Sequence, residues 1–197
     1  GSTEQLKKNI ITEICAVLAF SAIYNNDKIG VIFFSDHVEK FIPPKKGKSH
    51  ILRIIRELIE FEPENKTTNI GEALRYLNNV VKKRSIAFLI SDFLTDDYED
   101  GLKLANKKHD LVALQVYDQR ELEMPAVGRV LFQDPETEEI RWVNTNSRSV
   151  REQYKKAGER RMLKVNNACK KAGVDLASIA TDESYIKPIR NLFSKRT

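Results

Sequence analysis

The chain has 197 residues, of which 41% are hydrophobic and 31% are charged, and its formal net charge is +5 at pH 7. These fractions are typical of a globular protein and exclude the disordered and fibrous classes. The longest apolar stretch, residues 10–24, is too short to span a bilayer, no export leader opens the sequence, and two cysteines give no disulfide framework. We therefore predict a cytoplasmic protein with no membrane segment in this chain.

The hydrophobic pattern predicts helices that alternate with short apolar strands. The predicted helices cover residues 6–24, 49–61, 70–82, 98–108, 147–172 and 185–193. The predicted strands cover residues 28–34, 38–42, 85–90, 111–117, 128–132, 139–143 and 174–179. The continuous apolar run of residues 28–34 is typical of a strand covered on both faces, and Pro43-Pro44 is expected to stop the strand that follows it.

This alternation predicts an α/β fold in a single domain over residues 1–197. The fold class is a doubly wound, Rossmann-like, mostly parallel sheet with helices on both faces.

The positive charge lies in one predicted helix. Residues 147–171 contain nine basic and two acidic side chains, a net charge of +7, so the remainder of the chain carries −2. Apolar residues at helical spacing favour a helix that packs one face on the sheet, and these are Val150, Tyr154, Ala157, Val165, Ala168 and Ala172. The alternatives are a docking surface for an acidic partner and, third, electrostatic nucleic-acid binding, for which the sequence has no aromatic platform or known DNA-binding motif.

Motifs for nucleotide binding, zinc binding and nucleophilic catalysis are incomplete. Gly47-Lys48-Ser49 lacks the first glycine of a phosphate-binding loop, because residue 42 is isoleucine. The three histidines are too far apart in sequence for a zinc ligand set. A hydrolase that used Asp36 or Asp92 would have no nucleophile and no complete metal set. We therefore expect a protein that is not an enzyme and has no small-molecule substrate.

Polar side chains at the carboxyl ends of predicted strands form the candidate site. Ser35 and Asp36 follow the first strand, Thr68 lies in the loop before a helix, and Asp92 follows the strand of residues 85–90. Ligands of open α/β sheets bind beyond these strand ends, and hydroxyl and carboxylate oxygens suit Mg²⁺ or Mn²⁺. The alternative is that Thr68 helps to cap the next helix while Asp92 binds loop amides.

Four segments resemble successive landmarks of a von Willebrand factor A domain, and most closely the bacterial branch known as domain of unknown function 58. They are Ile29-Gly30-Val31-Ile32-Phe33-Phe34-Ser35-Asp36, Thr67-Thr68-Asn69-Ile70-Gly71-Glu72-Ala73-Leu74, Phe88-Leu89-Ile90-Ser91-Asp92-Phe93, and an ending that runs from the basic helix through Ala172-Gly173-Val174-Asp175-Leu176 to Thr181-Asp182-Glu183. The resemblance implies a metal-ion-dependent adhesion site at the top of the sheet. In it, Thr68 and Asp92 would be metal ligands from the second and third loops.

The resemblance also implies a first loop with the sequence D-x-S-x-S after a first central strand, and neither is found in this sequence. We interpret Gly1-Ser2 as a vector remnant and the chain as an N-terminally truncated domain without its first central strand. Mg²⁺ or Mn²⁺ is then expected in the full-length protein, and weak or absent binding is expected for this chain.

Members of this branch are often encoded beside MoxR-type AAA+ ATPases. The resemblance therefore implies a protein–protein interaction module that acts as an adaptor for such an ATPase. A partner carboxylate would complete the coordination of the metal ion.

Overall fold

The computed structural model describes residues 2–65, 67–133, 140–194 and 196. The helices are α1 (Ser2–Tyr24), α2 (Lys48–Glu60), α3 (Ile70–Val80), α4 (Glu99–Lys108), α5 (Arg148–Ala172) and α6 (Ile186–Ser194), and a 3-10 turn covers Gln119–Glu121. The strands are β1 (Ile29–Phe34), β2 (Val38–Lys45), β3 (Ile86–Ser91), β4 (Asp110–Tyr117), β5 (Arg129–Gln133), β6 (Ile140–Asn144) and β7 (Asp175–Ala180). Every predicted helix and strand is present, with its ends shifted by a few residues. Within the described ranges, no helix has both the length and the apolar character needed to cross a membrane.

A parallel three-stranded sheet, in the order β3-β4-β7, forms the centre of the fold. Its two faces are covered by different helices, because alternate residues of β4 point in opposite directions. Leu111 and Ala113 pack with α3, α4 and α5, whereas Val112, Leu114 and Val116 pack with α1 and α6. The predicted α/β fold with helices on both faces is therefore confirmed.

The strands differ from the prediction in how far the sheet extends. In the described part of the chain, β1 pairs only with β2 in an antiparallel hairpin, and β5 pairs only with β6. As a result β1 and β3 each have one unpaired edge, although their sequences are as apolar as that of β4. Most of their side chains are half-buried, whereas residues 111–116 of β4 are fully buried.

The prediction that Pro43 and Pro44 stop the second strand is wrong, since β2 continues to Lys45. A proline has no backbone N–H to donate, so it is tolerated where the strand has no second neighbour. The described pairing of β2 is to β1 alone, which leaves its other edge unpaired. A register shift opposite Gly30 accompanies the proline pair.

The hairpin of β5 and β6 confirms the two predicted strands before the basic helix, and most of its predicted turn lies outside the described residues. Leu131 pairs with Trp142, and both side chains are on the exposed face of the hairpin. Trp142 is 71% exposed and Leu131 is 60% exposed.

Candidate functional site at the carboxyl end of the sheet

Three loops that carry the predicted site residues meet at the carboxyl ends of β1 and β3. The Asn69 N–H donates to the Ser35 carbonyl oxygen over 2.7 Å. The Thr95 hydroxyl donates to the Thr68 carbonyl oxygen over 2.7 Å. The loop before α3 is thus bonded both to the end of β1 and to the loop after β3, so the segments that carry Ser35, Thr68 and Asp92 lie together.

Asn69, and not Thr68, caps α3. Its Oδ1 accepts a hydrogen bond from the Glu72 N–H over 2.9 Å, which satisfies one of the free donors at the helix start. Within the described residues the Thr68 hydroxyl has no hydrogen-bond partner, and its side chain is half-buried. The Thr68 hydroxyl is therefore available to a ligand at this edge.

The Asp92 carboxylate is held in one orientation by its own loop and by a lysine. Its Oδ1 accepts from the Leu94 N–H over 3.2 Å, as expected of a residue that binds loop amides. Its Oδ2 accepts from the Lys7 ammonium over 3.1 Å. The next residue, Phe93, adopts the left-handed φ of +58°, which is unusual for a bulky residue, and its ring is 5% exposed beneath the loop. Together these contacts fix the position of the carboxylate.

Lys7 joins α1 to two other elements of the site. Its Nζ lies 2.5 Å from Glu121 Oε1 in the 3-10 turn as well as 3.1 Å from Asp92 Oδ2, and only 12% of its side chain is exposed. Burial is the largest single influence on the pKa of Lys7 and lowers it, but the two carboxylates together outweigh burial and raise the pKa above its usual value. The ammonium therefore stays charged. We refer to Lys7, Asp92 and Glu121 as the Lys7 cluster.

Sequence reasoning missed Lys7 and Glu121. In the sequence, Lys7 and Lys8 look like two solvated lysines near the start of a helix. Only their spacing from the apolar residues of that helix distinguishes one from the other. Lys7 lies three and seven residues before Ile10 and Ile14, so it continues the inward-facing stripe of α1. A lysine in line with an apolar stripe is the signal that could have found it.

Asp36 lies in a separate and more exposed group of polar side chains. Its Oδ1 is 2.7 Å from His37 Nδ1, and the Asn65 amide and the Ser35 hydroxyl also donate to the carboxylate. The hydrogen bond with His37 lowers the pKa of Asp36 and raises that of His37. These contacts give Asp36 hydrogen-bond partners that are separate from those of the Lys7 cluster.

The oxygen atoms at this edge have the right chemistry for a divalent cation, but they are too few, and those of Asp92 already bind other groups. Mg²⁺ requires about six oxygen ligands at about 2.1 Å. Thr68 and Asp92 supply one free hydroxyl and one carboxylate, and both carboxylate oxygens already accept hydrogen bonds. Within the described residues no three histidine, cysteine or acidic side chains are grouped as metal ligands. As arranged here, these residues do not fit a divalent cation.

The basic helix α5 packs one face on the sheet, as its apolar stripe predicts. Gly158, Val165, Ala168 and Cys169 are buried. Four of its basic side chains bind acceptors outside the helix. Arg151 donates to the Thr145 carbonyl and Arg161 to the Glu121 carbonyl. Lys155 pairs with the Glu123 carboxylate, and Lys164 pairs with the Asp96 carboxylate. Much of the positive charge is therefore used within the fold, including at the loop after β3.

Two solved structures resemble this fold. One is the conserved hypothetical protein BatB from Bacteroides thetaiotaomicron, with a TM-score of 0.55 and 17% identity, covering 95% of this chain and 87% of that chain. The other is an aerotolerance-related membrane protein from Bacteroides fragilis NCTC 9343, with a TM-score of 0.56 and 18% identity, covering 96% of this chain and 88% of that chain. At these identities the likeness concerns the fold alone.

Sequence relatives include two mycobacterial proteins. Rv1480 of Mycobacterium tuberculosis is 22% identical over 193 residues, which cover 96% of this chain and 61% of that protein. MAV169 of Mycobacterium avium is 24% identical over 158 residues, which cover 79% of this chain and 93% of that protein. The chain thus spans about three-fifths of the length of Rv1480. The family model described as "Protein of unknown function DUF58" matches residues 1–163, most of the chain, and the chain belongs to this family.

Proposed function

We propose that this chain is a non-enzymatic protein–protein interaction module of the von Willebrand A type, and that it acts as an adaptor for a MoxR-type AAA+ ATPase. The observation that carries the proposal is the meeting of three polar loops at the carboxyl end of the strands, where ligands of open α/β sheets bind. The class of partner comes from the resemblance to the bacterial branch of the family.

The environments of the two cysteines argue against a role for either thiol as a catalytic nucleophile. Burial raises the pKa of the Cys15 thiol to about 12 and that of the Cys169 thiol to about 11. A thiol with so high a pKa stays protonated near neutral pH and is a poor nucleophile.

The von Willebrand A architecture would place one further strand between β1 and β3. The unpaired, apolar edges of these two strands support this proposal, because a strand that pairs with both would join the parallel sheet to the β1–β2 hairpin. Amide hydrogen exchange on a longer chain that includes upstream residues is the measurement. We expect the β1 and β3 amides to exchange more slowly there, and unchanged exchange would contradict the proposal.

In the metal-dependent form of the proposal, a Mg²⁺ or Mn²⁺ ion binds at this edge of the sheet, with Thr68 and Asp92 as two of its oxygen ligands. Two donors cannot complete the coordination, so the remaining ligands would come from groups other than these two side chains. Calorimetry with Mn²⁺ on the longer chain, with and without Asp92→Ala, tests this form. Absence of binding, or binding that Asp92→Ala leaves unchanged, would contradict it.

The interaction itself is tested by measuring the affinity of this chain for a MoxR-type ATPase from the same genome at low salt. Thr68→Arg places a long charged side chain where the three loops meet, so we expect it to weaken binding at least tenfold. Arg84→Glu changes the exposed charge just before β3, at the opposite end of the sheet, and serves as the matched control.

We expect Arg84→Glu to bind like the unmodified chain. Circular dichroism melts of both variants establish that they are folded. Failure of the unmodified chain to bind the ATPase, or equal binding by Thr68→Arg, would contradict the proposed function.

A further inference from the structure

The amino ends of the three parallel strands lie at the edge of the sheet opposite the candidate site. The segments that lead into β3, β4 and β7 are residues 81–85, 106–110 and 170–175. Neighbouring segments are bonded to each other. The Asp110 N–H donates to the Ser85 carbonyl oxygen over 2.9 Å, and the Asn106 amide donates to the Gly173 carbonyl oxygen over 2.9 Å. The three segments therefore form one continuous surface, which we call the basic edge.

The basic edge carries a net charge of +5, from seven basic and two acidic side chains. This equals the net charge of the whole chain, so the rest of the chain is neutral. The two acidic residues, Asp110 and Asp175, both form ion pairs with Arg196. Lys108 is half-buried and donates to the Asn78 carbonyl oxygen. The other six basic side chains are exposed and form no ion pair with any described residue, and they are Lys82, Lys83, Arg84, Lys107, Lys170 and Lys171.

Helix ends explain part of this charge. The last turns of α4 and α5 contain Lys107, Lys170 and Lys171, where positive charge is favoured by the free carbonyl groups of the helix. Residues 82–84 follow the end of α3 and belong to no helix. Helix capping therefore does not account for the charge of this loop.

The arrangement of the basic edge fits a partner with many negative charges on a broad surface. The exposed cations come from segments of three neighbouring strands, which are about 4.8 Å apart. A nucleic acid and an anionic bilayer both have such surfaces. All of the exposed cations except Arg84 are lysines, whereas arginine is the preferred residue for nucleic-acid phosphates. Ile86, 62% exposed beside these cations, could enter the interface of a bilayer.

We propose that the basic edge binds the surface of an anionic lipid bilayer. Clusters of four to eight lysine and arginine side chains are typical of proteins that bind anionic lipids. In this orientation the three loops of the candidate site face away from the membrane and stay open to a protein partner. The proposal does not depend on the proposed function, because it concerns the opposite edge of the sheet.

The experiment is co-sedimentation of this chain with lipid vesicles. One set contains phosphatidylcholine with about 30% phosphatidylglycerol, and the other contains phosphatidylcholine alone. We expect binding to the anionic vesicles only, with an affinity that falls at least tenfold between about 0.05 M and about 0.5 M NaCl because salt screens the charges. No binding to anionic vesicles at low salt, or equal binding to both sets, would overturn the proposal.

Reversing two charges of the loop before β3 tests the basic edge directly. The double variant Lys82→Glu/Lys83→Glu should bind anionic vesicles at least tenfold more weakly, because two attractive charges become repulsive. Circular dichroism melts establish that the variant is folded. If it is not, Lys170→Gln/Lys171→Gln takes its place, and we expect at least a threefold loss.

The matched control makes the same change of charge on α5. Lys156 and Arg160 are exposed, and they precede Lys164, which pairs with Asp96 in the loop after β3. They lie about 15 Å or more along the helix from its basic last turn, which exceeds the screening length of about 10 Å. Lys156→Glu/Arg160→Glu should therefore weaken vesicle binding by less than about threefold. An equal loss in this variant and in Lys82→Glu/Lys83→Glu would overturn the proposal.

Duplex DNA, titrated at the same phosphate concentration, separates the two kinds of partner. Binding to DNA as tight as binding to the anionic vesicles would overturn the choice of a bilayer. Arg84→Glu should weaken vesicle binding, yet it remains the control of the ATPase measurement because that assay contains no lipid. Vesicle binding without ATPase binding would support this proposal and contradict the proposed function, so the two can fail separately.

Discussion

At the scale of single residues, two histidines have opposite electrostatic surroundings. His109, at the end of α4, is fully buried, and neither ring nitrogen has a hydrogen-bond partner in the described residues. Burial, with a smaller contribution from Lys108, lowers the pKa of His109. His37 is exposed, and its hydrogen bond with Asp36 raises its pKa.

His109 is expected to make the protein less stable in mild acid. The unfolded chain takes up a proton near the usual histidine pKa of about 6.5, while folded His109 resists protonation until a lower pH. The free energy of unfolding should therefore fall as the pH falls below about 6.5, by at most about 1.4 kcal/mol per pH unit for this one group. Urea unfolding followed by circular dichroism at pH 7 and pH 5 should show a smaller loss in His109→Leu than in the unmodified chain.

His37→Gln provides a control of opposite sign. The raised pKa of His37 means that its contribution is fully present below about pH 6.5 and is lost as the pH rises through the folded-state value. Relative to His37→Gln, the unmodified chain should gain stability as the pH falls. Equal pH dependence in the unmodified chain and His109→Leu would refute the role given to His109.

The residues of the candidate site could be predicted only in part. Strand ends and loop chemistry pointed to Ser35, Thr68 and Asp92, and the loops that carry them do meet. The partner of Asp92 could not be predicted from spacing, because Lys7 lies 85 residues away and the contact depends on how α1 packs on the sheet. The cap of α3, by contrast, is a local contact between residues three positions apart, Asn69 and Glu72, and such a contact lies within reach of sequence spacing.

At the scale of elements, Gly30 allows β1 and β2 to approach closely. A Cβ atom at Gly30 would lie 2.7 Å from the Ile42 carbonyl oxygen and 2.9 Å from the Pro44 nitrogen, and both of these are backbone atoms. The register shift of the hairpin begins at this position. The prolines of β2 therefore lie close to a position of β1 where only a residue without a Cβ atom fits.

Gly30→Ala is expected to destabilise the protein by about 1–3 kcal/mol, since overpacking against backbone forces the strands to shift. The measurement is the urea midpoint of unfolding by circular dichroism. Lys45→Ala, at an exposed position of the same outer strand, is the control and should change stability by less than about 0.5 kcal/mol. A Gly30→Ala variant as stable as Lys45→Ala would show that the close approach is not required.

Helix and strand locations were predictable because periodicity and turn residues are local signals. Gly173, for example, ends α5 in the left-handed conformation, which glycine adopts more readily than other residues. The extent of β2 was not predictable in this way. Whether a proline is tolerated in a strand depends on the neighbouring strand, which sequence periodicity does not reveal.

At the scale of the whole molecule, the strands are protected to very different degrees. β4 is paired on both sides, and residues 111–116 have side chains at most 3% exposed. β1 and β5 each have one partner in the described chain. Sequence alone could not distinguish these environments, because the apolar runs of β1, β3 and β4 are alike and pairing is set by distant contacts.

We expect the amides of β4 to exchange with solvent most slowly, through global unfolding only. Amides of the β1–β2 and β5–β6 hairpins should exchange faster through local opening, because each is bonded to fewer strands. Hydrogen exchange followed by mass spectrometry resolves these segments. Exchange in β5 as slow as that in β4 would contradict the expected hierarchy.

The exposure of Trp142 determines what an optical experiment on this protein would report. It is the only tryptophan, and on β6 its indole is already largely in water when the chain is folded. Its fluorescence therefore follows the surroundings of the hairpin and should change little when the core melts. Tyr98, 1% exposed and in edge contact with the Phe93 ring, should instead give a near-ultraviolet dichroism signal from the core. Curves from the two signals would coincide only if hairpin and core unfold as one cooperative unit.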